Sequence, residues 1–456
     1  MKRVIYIIAN LLAALSCLSC ITTLDRDLTI NVRPGSYGTS GNTRIESSES
    51  RNVLLLYSAG YTKGLPQYLR DDIKDLKEGW LPGNNRGDNV LLIYSHLPKT
   101  NYDLETPTSP VLFRLYSDES GQVVSDTLII YPPGTISASA LQMNKVMNYV
   151  KDAYPAKGYG MIFSSHGTGY LPAGFYSNPS AFSFKESPKR RPGLYNPSPV
   201  PYMDRDFDPS MPAVKSLGAD VDYSSGSYMS YEMELDEFAE AIPMKLDYLL
   251  FDACLMGGVE VAYELRDKCD IVGFSQTEVL AEGFDYTSLA KHLLGSRTPD
   301  PVSVCNDYFQ QYDNNTEEVY RSATISVIMP DRMESLAQTC RMLFEKYRNG
   351  LSALEPGRVQ RYFRSNHHWF YDLESIIFEA ASKENTKTEI TNADIAALRA
   401  ALDECIIYKA ATPMFMNEFR INTYSGLSMY LPSNGTEYLD AFYRRLSWNS
   451  ATSLVE

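Results

Sequence analysis

FSSHGTGY at residues 163–170 and LDYLLFDACLMGG at residues 246–258 are the two stretches whose reading decides the fold. Each begins as an apolar run and stops on turn residues, with one reactive side chain, His166 or Cys254, just past the run. Apolar runs without polar alternation, bounded by turn residues, read as inner strands of a parallel sheet covered on both faces. In open α/β sheets, ligands sit beyond the carboxyl ends of such strands. An imidazole and a thiol delivered there are the minimum parts of a cysteine nucleophile with its base. Taken singly, Cys254 also reads as a buried structural cysteine and His166 as a loop histidine satisfied by water.

Working outward, strands are expected over 53–57 (VLLLY), 90–94 (VLLIY), 159–164, 246–251, 271–274 and 322–329, with a hairpin over 111–116 and 127–131. Helical spacing covers 65–78, 139–154, 233–242 and 259–266, the second with Leu141, Val146, Tyr149 and Val150 on one face. Strands alternating with helices imply an α/β fold with a mostly parallel sheet flanked by helices. After Pro330 helices dominate (333–347, 371–381, 392–408), and GLSMYLP at 426–432 reads as a closing strand. The expected organisation is therefore a catalytic core over 51–330 and a largely helical subdomain over 331–456, packed on that core. Residues 167–230 differ: they hold nine of the 25 prolines and little helical or strand periodicity. A loop this long inside an α/β unit is normally a functional insertion or lid.

The 456 residues carry 42 basic and 56 acidic side chains, a net charge of −14, which argues against nucleic acid as a partner. Residues 1–20 form a processing segment, with Lys2 and Arg3 followed by an apolar run. They resemble a bacterial lipoprotein signal, in which cleavage before Cys17 or Cys20 exposes a cysteine for acylation; an ordinary secretory signal is the other reading. Residues 21–50, rich in Ser, Thr, Gly and Asn, then read as a flexible tether from a membrane of the cell envelope. Of seven cysteines, Cys254, Cys269, Cys305, Cys340 and Cys405 lie beyond this segment, without C-x-x-C or zinc spacing. The last four read as small core residues.

A free cysteine is mostly protonated at neutral pH, so a nucleophilic Cys254 needs help. A neighbouring imidazolium, or the positive end of the helix after the D-A-C-L-M-G-G turn, would supply it. Gly167 leaves its backbone free to approach a substrate, and its N–H is placed to help hold an oxyanion. Adjacent His367 and His368 read as structural or surface residues rather than metal ligands.

FSSHGTGY, FDACLMGGVEVAYEL and VGFSQTEVLAEGFDY, with weaker echoes in FYDLESI and YSGLSMYLP, resemble the clostripain family of cysteine peptidases, relatives of caspases and gingipains. The resemblance runs from about residue 53 to the C-terminus. It implies a caspase-like fold, His166 as general acid/base, Cys254 as nucleophile, and the N–H groups of Gly167 and Cys254 as oxyanion donors. It also implies peptide or protein substrates cut after Arg or Lys. Asp252 holds the matching pocket position, with Glu282 and Asp285 as further candidates, and a helix N-cap is the structural alternative for Asp252. Self-processing in the insert is expected after Lys189 or Arg190 of SPKRRPG, but not after Arg191, which precedes proline; a solvated charge cluster is the plainer reading. Calcium dependence occurs in the family, although no D-x-D-x-D-G loop is present. Alternatives are a catalytically silent lipoprotein that binds surface ligands, and a thiol amidase or transpeptidase built from the same pair.

Overall fold

Five parallel strands, buried along nearly their whole length, form the middle of the molecule. The computed structural model describes residues 51–85, 87–176, 178–182, 193–201, 220–224, 227–364, 368–383 and 391–456. The signal segment with Cys17 and Cys20, the tether, Lys189, Arg190, Arg191 and His367 lie outside the described residues. The central sheet contains β1 (Asn52–Ala59), β2 (Val90–His96), β3 (Val111–Ser117), β4 (Val123–Ile130), β5 (Gly158–Ser164), β6 (Leu246–Asp252), β7 (Cys269–Phe274), β8 (Thr324–Ile328) and β9 (Ile406–Ala411). Their spatial order is β9-β8-β7-β6-β5-β1-β2-β3-β4. The stretch from β7 to β2 is parallel, and an antiparallel pair extends each edge.

The burial pattern follows from this layering. Every residue of β1 is buried, as expected for a strand covered on both faces. The edge strand β4 instead alternates exposed and half-buried positions along its first half. Helices α1 (Pro66–Glu78), α5 (Tyr286–Leu294) and α6 (Pro301–Asp313) pack together on one face. The other face carries α2 (Ala140–Ala153), α3 (Leu235–Ala241), α4 (Val259–Glu264) and α7 (Met333–Lys346). Ser139 caps α2 by accepting from the Gln142 N–H. The buried stripe of α2 is Met143, Val146, Met147 and Val150, whereas Leu141, expected on that stripe, is 44% exposed.

Two departures from the sequence reading matter. The helix expected to 408 ends at Cys405, and Ile406–Ala411 pairs antiparallel with β8, so the segment after Pro330 supplies an edge strand of the central sheet. No glycine or proline marks that switch; the open edge of β8 provides the partner that turns I-I-Y-K-A-A into a strand. The insert also contains a hairpin, Asp220–Ser224 against Ser227–Tyr231, joined by Val200–Pro201.

Candidate active site

The register of two neighbouring strands sets the site. β5 and β6 pair in parallel with Ser164 opposite Asp252. His166 and Cys254 each follow two residues after that pair, so both leave the same sheet edge from adjacent strands. The two turns touch. A Cβ built on Gly167 would collide with the Cys254 carbonyl oxygen and lie 2.9 Å from Met256 Sδ and 3.1 Å from Ala253 Cβ. One built on Gly169, at φ +59°, would lie 2.6 Å from the Leu255 carbonyl oxygen. Only glycine fits where the histidine turn crosses the cysteine turn.

The cysteine turn is strained and tied down. Leu255, directly after the thiol, has φ +60°, a conformation that costs a branched side chain about 1–2 kcal/mol. Its N–H donates to Thr277 O at 2.9 Å, and Gly257 N–H donates to Ser275 O at 2.7 Å. The sulfur itself accepts from the Val279 N–H at 3.1 Å and faces Val279 O at 3.7 Å. Segment 275–279 is therefore the cradle of the Cys254 thiol. The helix that follows does not begin at Cys254. α4 has only six residues, begins five positions later at Val259, and carries buried Glu260 in its first turn. The turn that carries His166 lies against the Cys254 turn, with Gly167 packed on the Cys254 carbonyl.

Cys254 is fully buried and His166 is 6% exposed. His166 lines a cleft with Phe163, Leu171, Met233, Phe238 and Met256, and Glu232 at its polar end. Burial raises the Glu232 carboxyl, against hydrogen bonds from the Gly174 N–H and the Ser230 hydroxyl.

Asp252 ends β6, 1% exposed, and accepts from the Tyr286 hydroxyl at 2.7 Å and the Ser164 hydroxyl at 3.1 Å. It caps no helix, since Gly258 holds the N-cap position of α4. Asp285 is itself an N-cap, accepting from the Thr287 N–H at 3.0 Å at the start of α5. Glu282 is exposed beside it. Ser164 and Tyr286, which hold Asp252, escaped the sequence reading, and neither carries a signal short of the fold. The other four described cysteines are buried thiols whose pKa values burial raises, as core residues should show. His368 is buried, its ring 4.5 Å from that of Tyr371. Among the described residues no cluster of three or more His, Cys, Asp or Glu could hold a metal ion. Among them, too, no helix is long and apolar enough to cross a membrane.

The profile of the clostripain family, peptidase C11, matches residues 57–187 and 214–454. The chain belongs to the clostripain family. It is a cysteine peptidase. Solved structures agree with the fold of this clostripain-family chain. An inactive zymogen C11 protease from Parabacteroides distasonis is 25% identical over 91% of this chain and 99% of its own, with TM-score 0.65. A secreted C11 cysteine protease from Bacteroides thetaiotaomicron, iotapain, is 21% identical over 89% and 99%, with TM-score 0.63. A secreted C11 protease of the same organism, bound to an irreversible peptide inhibitor, is 22% identical over 88% and 99%, with TM-score 0.63. Comparison with curated proteins gives no match.

Proposed function

We propose that this peptidase is an exported endopeptidase that cuts after Arg or Lys with a His166/Cys254 dyad. The observation that carries the reading is the Ser164/Asp252 register, from which both side chains emerge on interlocked turns. The Cys254 thiolate attacks the scissile carbonyl carbon, and the N–H groups of Gly167 and Cys254 receive the oxyanion. The His166 imidazolium gives its proton to the departing amine, leaving a thioester. His166 then takes a proton from water, the hydroxide adds to the thioester, and the thiolate leaves with the carboxylic acid product.

Asp252 is the candidate carboxylate for the basic side chain before the cut bond, oriented by Ser164 and Tyr286. A buried carboxylate meeting a guanidinium in two hydrogen bonds discriminates strongly. Glu282 and Asp285 stand farther along the chain, beyond β7, Asp285 already engaged as a cap. The apolar cleft beside His166 suits uncharged neighbours of the cut bond. Complete burial of Cys254 supports reading the intact chain as a precursor activated by cleavage after Lys189 or Arg190, as the description of the Parabacteroides relative as a zymogen also suggests. Export is supported by the secreted Bacteroides relative and residues 1–20, with acylation of Cys17 or Cys20 as the anchor.

Fluorogenic peptides ending in Arg, Lys or a neutral residue, assayed with and without a thiol alkylator, test the proposal. Alkylator-sensitive hydrolysis confined to Arg and Lys supports it. Equal turnover of neutral peptides removes the basic preference, and acyl transfer to added amines in place of hydrolysis points to a transpeptidase.

A further inference from the structure

Segment 275–279, which cradles the nucleophile, is gripped from a distant part of the chain. The Gln276 and Thr277 N–H groups donate to Thr324 Oγ1 of β8 at 3.1 and 3.0 Å. The Gln276 amide donates to Gly426 O at 2.8 Å. Arg364 Nε also meets Glu278 Oε1 at 3.1 Å. The Glu278 side chain is 1% exposed and the Arg364 side chain 30%. Glu278 is one peptide from Val279, whose N–H touches the sulfur. A carboxylate here costs desolvation, and its charge opposes formation of a thiolate.

We propose that Arg364 is a positioning residue for the reaction: its ion pair with Glu278 fixes the cradle of Cys254 and offsets the carboxylate that would otherwise oppose the thiolate. The inference rests on the dyad reading and extends it, since sequence places Arg364 110 residues beyond the nucleophile. Among the described residues, Tyr308 of α6 is coupled electrostatically to Cys254, while His166 from the β5 turn, Asp252 from β6 and Glu278, paired with Arg364, belong to the segments that adjoin the cysteine turn. Burial and the charges of Asp252 and Cys254 hold the Tyr308 hydroxyl well above its ordinary pKa, so it stays neutral in the working range. Asp252 remains unchanged in every variant below. Glu278 and Arg364 are thus the pair whose alteration reports on the charge beside the thiol.

The experiment measures the pH dependence of kcat/KM on a basic peptide for the purified chain, Arg364→Gln, Arg364→Lys, Glu278→Gln/Arg364→Gln and Cys254→Ala. Arg364→Gln should move the acid limb up by about one pH unit and lower kcat/KM by about 10-fold at pH values on that limb. Arg364→Lys keeps the charge and should keep the limb. The double variant removes both charges and should return the limb to its original position, a recovery that loss of structure does not produce. A limb unmoved in Arg364→Gln, or equally displaced in the double variant, overturns the proposal while leaving the dyad standing. Activity retained in Cys254→Ala overturns the dyad reading itself.

Discussion

Replacing Gly167 with alanine tests the interlocked turns with a single methyl group. The added Cβ falls inside the Cys254 carbonyl oxygen's contact radius and 2.9 Å from Met256 Sδ. The thioether can swing aside; the carbonyl cannot, because Leu255 and Gly257 are fixed by hydrogen bonds to Thr277 and Ser275. Ordinary carbon contacts lie at about 3.5–4 Å, so the two turns must part by about 1 Å. A 1 Å misplacement of reacting groups costs about 100-fold in rate. Gly167→Ala should therefore lose about 100-fold or more in kcat, with KM little changed. Peptide hydrolysis at saturating substrate reads the loss, and thermal unfolding should show a Tm lower by only a few degrees. Wild-type kcat in a folded Gly167→Ala protein would refute the claim that the turns meet there.

Three other outcomes follow. Asp252→Asn should lower kcat/KM for Arg and Lys peptides by about 100-fold or more while sparing residual neutral turnover; a uniform loss across the panel would assign Asp252 a structural role. Incubated wild-type chain should yield two associated fragments that are absent from Cys254→Ala and from a Lys189→Ala/Arg190→Ala variant, read on denaturing gels; equal fragments in all three would exclude self-cleavage. Glu260 is buried, and its carboxyl is pushed up to about 7, desolvation outweighing hydrogen bonds from the Tyr430 N–H and the Tyr443 hydroxyl. The folded state thus binds this proton more tightly than the unfolded chain, whose carboxyl titrates near about 4.3. Its stability contribution is full below about pH 4.3 and is lost as pH rises through about 7, a difference of about 4 kcal/mol. Glu260→Gln should therefore gain on wild type in Tm between pH 5 and 8. Glu234, also raised to about 7, titrates alike in both proteins and drops out of the comparison. A Tm difference independent of pH would contradict the assignment.

The parallel strands were legible because each is an unbroken apolar run ended by turn residues, and the same endings marked His166 and Cys254. The register that makes those residues neighbours is a long-range pairing no local pattern encodes. The first half of β9, Ile406–Tyr408, reads as the end of a helix because no stop signal precedes it, and only the exposed edge of β8 makes Ile406–Ala411 a strand. α5 and α6 went unread although Asp285 and Asp300 cap them and Pro301 opens the second. Asp285, a pocket candidate by the family resemblance, caps α5 in the structure, and an aspartate before a helix looks the same in sequence in either role. Arg364 could not be seen from its surroundings in the chain: its importance comes from a buried partner 86 residues earlier.

The dyad is tested most directly by covalent capture. The chain is treated with a peptidyl-lysine or peptidyl-arginine acyloxymethyl ketone, digested, and mapped by mass spectrometry, beside His166→Ala. The account predicts one adduct, on Cys254, formed at least about 100-fold more slowly without the imidazole. An adduct on Cys269, Cys305, Cys340 or Cys405, or labelling of Cys254 at the same rate in His166→Ala, would contradict it.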